Sequence, residues 1–299
     1  MAMVASLCLI WALTFIAQRT ALRDAPPLWI AAGRTIIGAL ALSWALGRLS
    51  ARGWRVAGGL ALTNIVGFVG LQLVGLKAIG AGPSAAIIYT QPVLVAVGGH
   101  LWLGERLSPA RAAGVVIGLI GVTVISAHEL SAVSPVAVAA LFASALCWTA
   151  GTLLTRATPE QPVWRVVAAQ QALGAPILLA LALIAEPAPH VTGRLAATVL
   201  YAGLFGAAGG LLLFTALLRR GEAAVVSAWM FSVPIVASLL AVPLLGEPLR
   251  LPLAVGLVLV SVGVRLATRT RARPAPVAGR TRTPAGARPS ESAQGRASA

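Results

Sequence analysis

The chemistry open to this chain is set by a few polar and aromatic residues placed inside long apolar runs. Trp11, Thr14, Phe15 and Gln18 share one helical face near the N-terminus, and Trp148, Gly151, Thr152 and Thr155 repeat that face 137 residues later. Asn64, Phe68 and Gln72 are spaced i, i+4, i+8 and so fall on one side of a helix. Two more stripes run through a proline: Ala85, Tyr89, Pro92, Ala96 and Gly99, then Ser227, Phe231, Pro234, Ser238 and Ala241. Side chains of these types bind and pack; they do not break bonds. An aromatic wall with a few convergent polar groups is how small-molecule pockets are built. The substrate-binding candidates are therefore Trp11, Thr14, Asn64, Gln72, Tyr89, Trp148, Thr152, Ser227, Phe231 and Ser238. Each has a competing structural reading. Amides in hydrocarbon are also satisfied by interhelical hydrogen bonds, and small-residue stripes also serve close helix packing.

Pro92 and Pro234 are candidate hinges. A proline lacks the amide hydrogen and clashes with the carbonyl four residues earlier, here those of Ile88 and Met230. Such an opened ladder is tolerable at membrane depth only where it faces protein or a wet cavity. Arg34 is the one cation well inside an apolar run. Intramembrane charges mark functional sites by default. Snorkelling towards headgroups, an internal pair and a substrate carboxylate all remain open for it.

Groups for covalent or hydrolytic chemistry are missing. Asp24 is the only aspartate and lies between runs, so a pair of membrane aspartates cannot form. The His-Glu-x-x-His spacing of zinc proteases does not occur. Ser84 stands at a helix start without a histidine partner. Cys8 and Cys147, the only cysteines, cannot make a disulfide framework or a cysteine metal site. The sequence thus predicts no enzyme, no cofactor and no bound metal. No carboxylate occupies the centre of a run, which favours exchange or facilitated diffusion over proton antiport.

The elements that must position these residues are membrane helices. Of 299 residues, 58% are apolar and 10% charged, against about 45–50% and about 25% in soluble domains. A spanning helix takes about 20 apolar residues. Ten such runs are predicted, at 1–18, 28–47, 55–76, 83–103, 109–127, 134–154, 163–185, 194–217, 223–245 and 252–268. The first has no basic leader and no small-residue cleavage site, and reads as an uncleaved helix.

The net charge of +15 is distributed as membrane topology. With a cytoplasmic N-terminus, inside connections hold Arg48, Arg52, Arg55, Arg106, Arg111, Arg156, Arg165, Arg219 and Arg220, besides the arginines of the tail. The outside connections hold only Arg19, Arg23, Lys77, Arg194 and Arg250. The positive-inside rule then places both termini in the cytoplasm. Residues 269–299 are Arg, Pro, Ala, Ser, Gly and Thr with little apolar bulk, the composition of a disordered tail held near anionic lipid. No aromatic residue interleaves its arginines, so nucleic acid is not an expected partner.

The two halves repeat. Residues 77–122 align without a gap on 219–264, pairing Pro92 with Pro234, Gly104-Glu105 with Gly246-Glu247, Gly114 with Gly256, and Gly121 with Gly263. The fold expected is an all-α integral membrane protein of ten transmembrane helices in two five-helix units, at 1–130 and 131–268. Five is odd, so the second unit enters from the opposite side. Inverted-topology repeats of this sort enclose a midplane site and alternate its access.

This pattern resembles the ten-helix EamA-type members of the drug/metabolite transporter superfamily. The likeness rests on the Trp in the first helix of each unit (Trp11, Trp148) and on the Pro-then-Gly-Glu-x-Leu pattern at 92–107 and 234–249. It spans residues 1–268. It implies an inner-membrane exporter or exchanger of small metabolites such as amino acids, with lipid around it and a homodimer as one assembly left open. Flipping of a lipid intermediate, and a membrane sensor or scaffold that moves nothing, are the alternatives.

Overall fold

A computed structural model of the chain describes residues 2–103, 109–130, 135–158, 160–219, 232–246 and 251–268. Helices fill them, and no strand occurs among the described residues. The order is α1 (Ala2–Ala21), α2 (Pro27–Ala41), α3 (Ala51–Leu60), α4 (Leu71–Ala78), α5 (Ala81–Ile88), α6 (Gln91–Leu103), α7 (Pro109–Leu130), α8 (Pro135–Ala157), α9 (Val163–Ala185), α10 (Gly193–Tyr201), α11 (Leu211–Arg219), α12 (Ser232–Leu245) and α13 (Leu251–Thr268). A π-helical segment, Ala61–Gly70, joins α3 to α4, and another, Ala202–Gly210, joins α10 to α11. Among the described residues, six helical stretches are long and apolar enough to cross a membrane, and shorter apolar helices accompany them. The chain is a multi-span, all-helical membrane protein.

The described elements fall within the apolar runs, with two differences that bear on function. First, the run at 83–103 is not one helix. It breaks at Tyr89–Thr90 into α5 and α6. Thr90 Oγ1 donates to the Ile87 carbonyl at 2.8 Å, and the Thr90 carbonyl accepts from Val93 N at 3.0 Å. Pro92 is then the second residue of α6, where a missing amide hydrogen costs no helical bond. The break falls in the turn between Ile88, whose carbonyl Pro92 cannot serve, and Pro92 itself, so two short helices stand where one kinked helix was expected. Pro234 lies in α12, which is described only from Ser232 onward. The prolines inside helices are Pro176 in α9 and Pro243 in α12, both facing outward.

Second, the third run of each half changes hydrogen-bond register at its middle. The segments ALTNIVGFVG and AGLFGAAGG are rich in glycine and alanine, whose small side chains leave room for the wider turn. π segments recur at functional sites, and both of these face the interior.

Glycines set the closest approaches. A Cβ on Gly121 would lie 2.9 Å from the Gly256 carbonyl oxygen, and one on Gly263 would lie 2.6 Å from the Gly114 carbonyl oxygen. Helices α7 and α13 thus touch backbone to backbone, and the two contacts are repeat copies of each other. Aromatic anchors sit at one end of the bundle. Trp44, Trp54, Trp102 and Trp164 are exposed, and the connectivity puts all four at the end where α2 meets α3, and α8 meets α9. Tryptophan prefers the headgroup boundary. Arg165 Nη1 donates to the Arg48 carbonyl at 3.2 Å and Arg52 pairs with Glu160 at 3.5 Å at that same end.

Candidate functional site

Helices from both halves enclose a cavity with about 580 Å³ of space between atoms, part of it open to the surroundings. Its apolar wall includes the rings of Trp11, Phe68 and Trp148, backed by Phe214. Trp148 on α8 lies 4.6 Å from Phe68, 5.2 Å from Phe214 and 5.6 Å, edge-on, from Trp11, measured between ring centroids. Trp11 and Phe214 are 5.3 Å apart. Tilted and edge-to-face pairs at such spacing are favourable beyond their buried area. The indole of Trp11 also donates to the Gly206 carbonyl at 3.3 Å, which ties α1 to the second π segment.

The polar wall is built from amides. Gln72 Nε2 donates to Gln18 Oε1 at 3.2 Å. That pairing leaves Gln72 Oε1 and Gln18 Nε2 buried without a partner. Asn64 Nδ2 reaches Gln170 Oε1 at 3.5 Å, the limit of a hydrogen bond, while its own Oδ1 has no partner. Gln171 donates to the Ala207 carbonyl at 2.9 Å and keeps an unpartnered Oε1. A satisfied structural network would leave none of these atoms open. Here Asn64, Gln72 and Gln171 of the wall each keep one polar atom in reserve, which is the arrangement a polar solute can complete.

Of the sequence-predicted candidates, Trp11, Thr14, Asn64, Gln72, Tyr89 and Trp148 line this cavity. Thr152 is next to it, in a narrower cleft that also touches Asn64, Thr155 and Gln170. Ser238 stands elsewhere. It packs on Gly82 between α5 and α12, where a glycine Cβ would lie 3.1 Å from its Cα. Its place is explained by close helix packing. Ser227 and Phe231 lie outside the described residues. Neither Pro92 nor Pro234 borders the cavity, although Tyr89 at the break does.

Sequence reasoning passed over Thr35, Gln91 and Gln171 as lining groups. The signal existed for Gln171, since it is a second amide beside Gln170 in an apolar run, but no repeat partner flagged it. Arg34 also lines the cavity and is 7% exposed. It does not snorkel.

The end opposite the exposed tryptophans is tied by charged groups. Asp24 accepts from Arg194 Nε at 2.8 Å and from Thr192 Oγ1 at 2.9 Å, and it also pairs with Arg194 Nη2. The hydrogen bond from Arg194 holds the Asp24 carboxyl below its ordinary value. Glu186 Oε2 accepts from the amides of Leu28, at 2.9 Å, and Trp29, at 3.3 Å, so it caps the N-terminus of α2 from the other half of the chain.

The profile of the EamA-like transporter family matches residues 1–127 and again 135–269. An uncharacterized transporter of Bacillus subtilis strain 168, YvbV, is 34% identical over 273 residues, which is 86% of this chain and 88% of that protein. A riboflavin transporter of Rhizobium johnstonii is 34% identical over 139 residues, 44% of each chain. A solved crystal structure superposes with a TM-score of 0.69 at 21% identity, covering 89% of this chain and 96% of that one, and so has the same fold.

Proposed function

The chain belongs to the EamA-like transporter family, and on that premise we propose that it is a secondary transporter of the cell membrane that exports or exchanges a small metabolite. The cavity is the substrate site. Trp11, Phe68 and Trp148 receive the apolar part of the solute, and the spare polar atoms of Asn64, Gln72 and Gln171 receive its polar part. The observation that carries this reading is that both halves of the chain contribute to one cavity: Trp11 and Asn64 from the first, Trp148 and Gln171 from the second. A site shared between inverted repeats is exposed to alternate sides when one unit rocks against the other. Both termini face the cytoplasm, and the ties at Asp24–Arg194 and Arg52–Glu160 stand at opposite ends of the bundle. They are suited to open in turn.

The test is reconstitution. Metabolites released by cells with and without the gene are compared, and those that differ are offered to proteoliposomes containing the purified protein. Uptake that Trp148→Ala reduces about tenfold or more supports the site; uptake indifferent to Trp148 and Asn64 overturns it.

A further inference from the structure

We propose that Arg34 receives the anionic group of the transported solute, and that the site is selective for organic monoanions with an apolar body over zwitterions and cations. The inference rests on the transport reading above and assigns its substrate class. Arg34 is more than nine-tenths buried, and its Nε has no hydrogen-bond partner. No ion pair reaches its guanidinium among the described residues, and no Asp or Glu lines the cavity. A buried cation without a partner is costly, and proteins retain one where something supplies the counter-charge. The obvious internal suppliers are spoken for, because Asp24 is paired with Arg194 and Glu186 caps α2.

Gly206 fixes how charge and rings meet. A Cβ at that position would lie 3.5 Å from Arg34 Nη2 and 2.8 Å from Thr14 Oγ1, and the Gly206 carbonyl accepts from the Trp11 indole. Guanidinium and indole therefore stand on either side of a single residue without a side chain. A carboxylate bound by the planar donor fork of Arg34 would have its apolar body beside Trp11. Thr14 cannot compete for the anion with its proton, since its hydroxyl donates to the Ile10 carbonyl at 2.7 Å. An ammonium would find no carboxylate here and would meet the like charge of Arg34.

The full chain is purified in detergent and its melting midpoint is followed against matched probes: 3-phenylpropionate, 3-phenylpropionamide, phenethylamine and phenylalanine, with octanoate and octanamide as an aliphatic pair. A ligand that binds the folded state raises the midpoint. The wild type should respond to a carboxylate at about tenfold lower concentration than to its amide, the margin of a charge-assisted contact, and least to the amine. Arg34→Gln should erase that margin and Arg34→Lys should keep part of it. Arg34→Met removes the charge and keeps an apolar stem of similar length, a change a buried site tolerates better than an unpaired charge; it should likewise erase the margin, and it serves if Arg34→Gln is not recovered folded. Equal responses to carboxylate and amide in the wild type overturn the proposal, as does a preference that survives Arg34→Gln. Uptake into vesicles tests the parent reading separately. Vesicles that move neutral or zwitterionic solutes without any Arg34-dependent preference keep the transporter and reject the monoanion site. A carboxylate preference in vesicles that move nothing does the reverse.

Discussion

The amide of Asn64 occupies the space that a side chain on Gly151 would fill: a Cβ there would lie 2.6 Å from Asn64 Cγ. The related crossing has the reverse assignment. Gly206, 142 residues after Asn64, lacks a side chain, and Thr14, 137 residues before Gly151, supplies one, with Oγ1 2.8 Å from the Gly206 Cβ position. At each crossing one partner is glycine and the other is polar, and the roles change sides between the halves. Gly151→Ala should therefore lower stability by about 1–3 kcal/mol, the cost of overpacking, seen as a lower melting midpoint. Asn64→Ala added to Gly151→Ala should recover most of the loss. Additive losses would show that the two residues do not share this space.

The Asp24 contact gives a pH prediction. Its carboxyl is held below the ordinary carboxylate value by Arg194. The contact is thus complete above the unfolded value of about 3.9 and is lost only as pH falls through the lower, folded value. Amide hydrogen exchange of residues 186–194 should be insensitive to this group from pH 7 down to about 4. Asp24→Asn should speed that exchange at neutral pH, because it removes the charge that Arg194 and Thr192 engage.

Glu186→Ala should cost about 0.5–2 kcal/mol through the lost cap on α2, and Glu186→Gln less, since an acceptor oxygen remains. The melting midpoint checks both. Loss confined to Ala marks a cap; equal loss in both marks a role for the charge itself.

At the break between α5 and α6, Thr90→Val removes the hydroxyl that donates to the Ile87 carbonyl and should cost about 0.5–1.5 kcal/mol. Pro92→Ala should change stability by less than about 1 kcal/mol, because the first turn of a helix does not need that amide hydrogen. Transport should accordingly fall more in Thr90→Val than in Pro92→Ala. The opposite order would return the hinge to the proline.

Reporter fusions test orientation. Reporters placed after Glu129 and after Glu186 should read as external, and those after Glu160 and in the tail as cytoplasmic. The reverse pattern would invert the topology drawn from the arginines.

Hydrophobic runs, punctuation by Arg, Pro and Gly, and the 142-residue repeat were enough to read the helices and their pairing, because lipid leaves helices few alternatives. The 137-residue repeat of the first helices picked out Trp11 and Trp148, whose rings do meet. It was a poorer guide to groups without a partner copy. Arg34 and Gln171 were visible as polar residues in apolar runs, yet only the packing around Gly206 and Ala207 turns them inward. The break at Tyr89–Thr90 falls in the turn between Ile88 and Pro92 that the proline marks in the sequence; the bond from the Thr90 hydroxyl to the Ile87 carbonyl is what the sequence did not show. Ser238 misled because a stripe of small residues looks the same whether it borders a void or another helix.

The contact of α7 with α13 has a bearing on ancestry. Gly121 rests on Gly256, and Gly263 rests on Gly114, so each side of the interface is a copy of the other. A surface complementary to its own duplicate is what two separate molecules need to associate about a two-fold axis. A five-helix precursor with this one glycine face could have paired with itself before any fusion of two gene copies. The doubled chain would then have inherited its central seam ready-made, leaving the two copies free to diverge where Asn64 and Gly206 now differ.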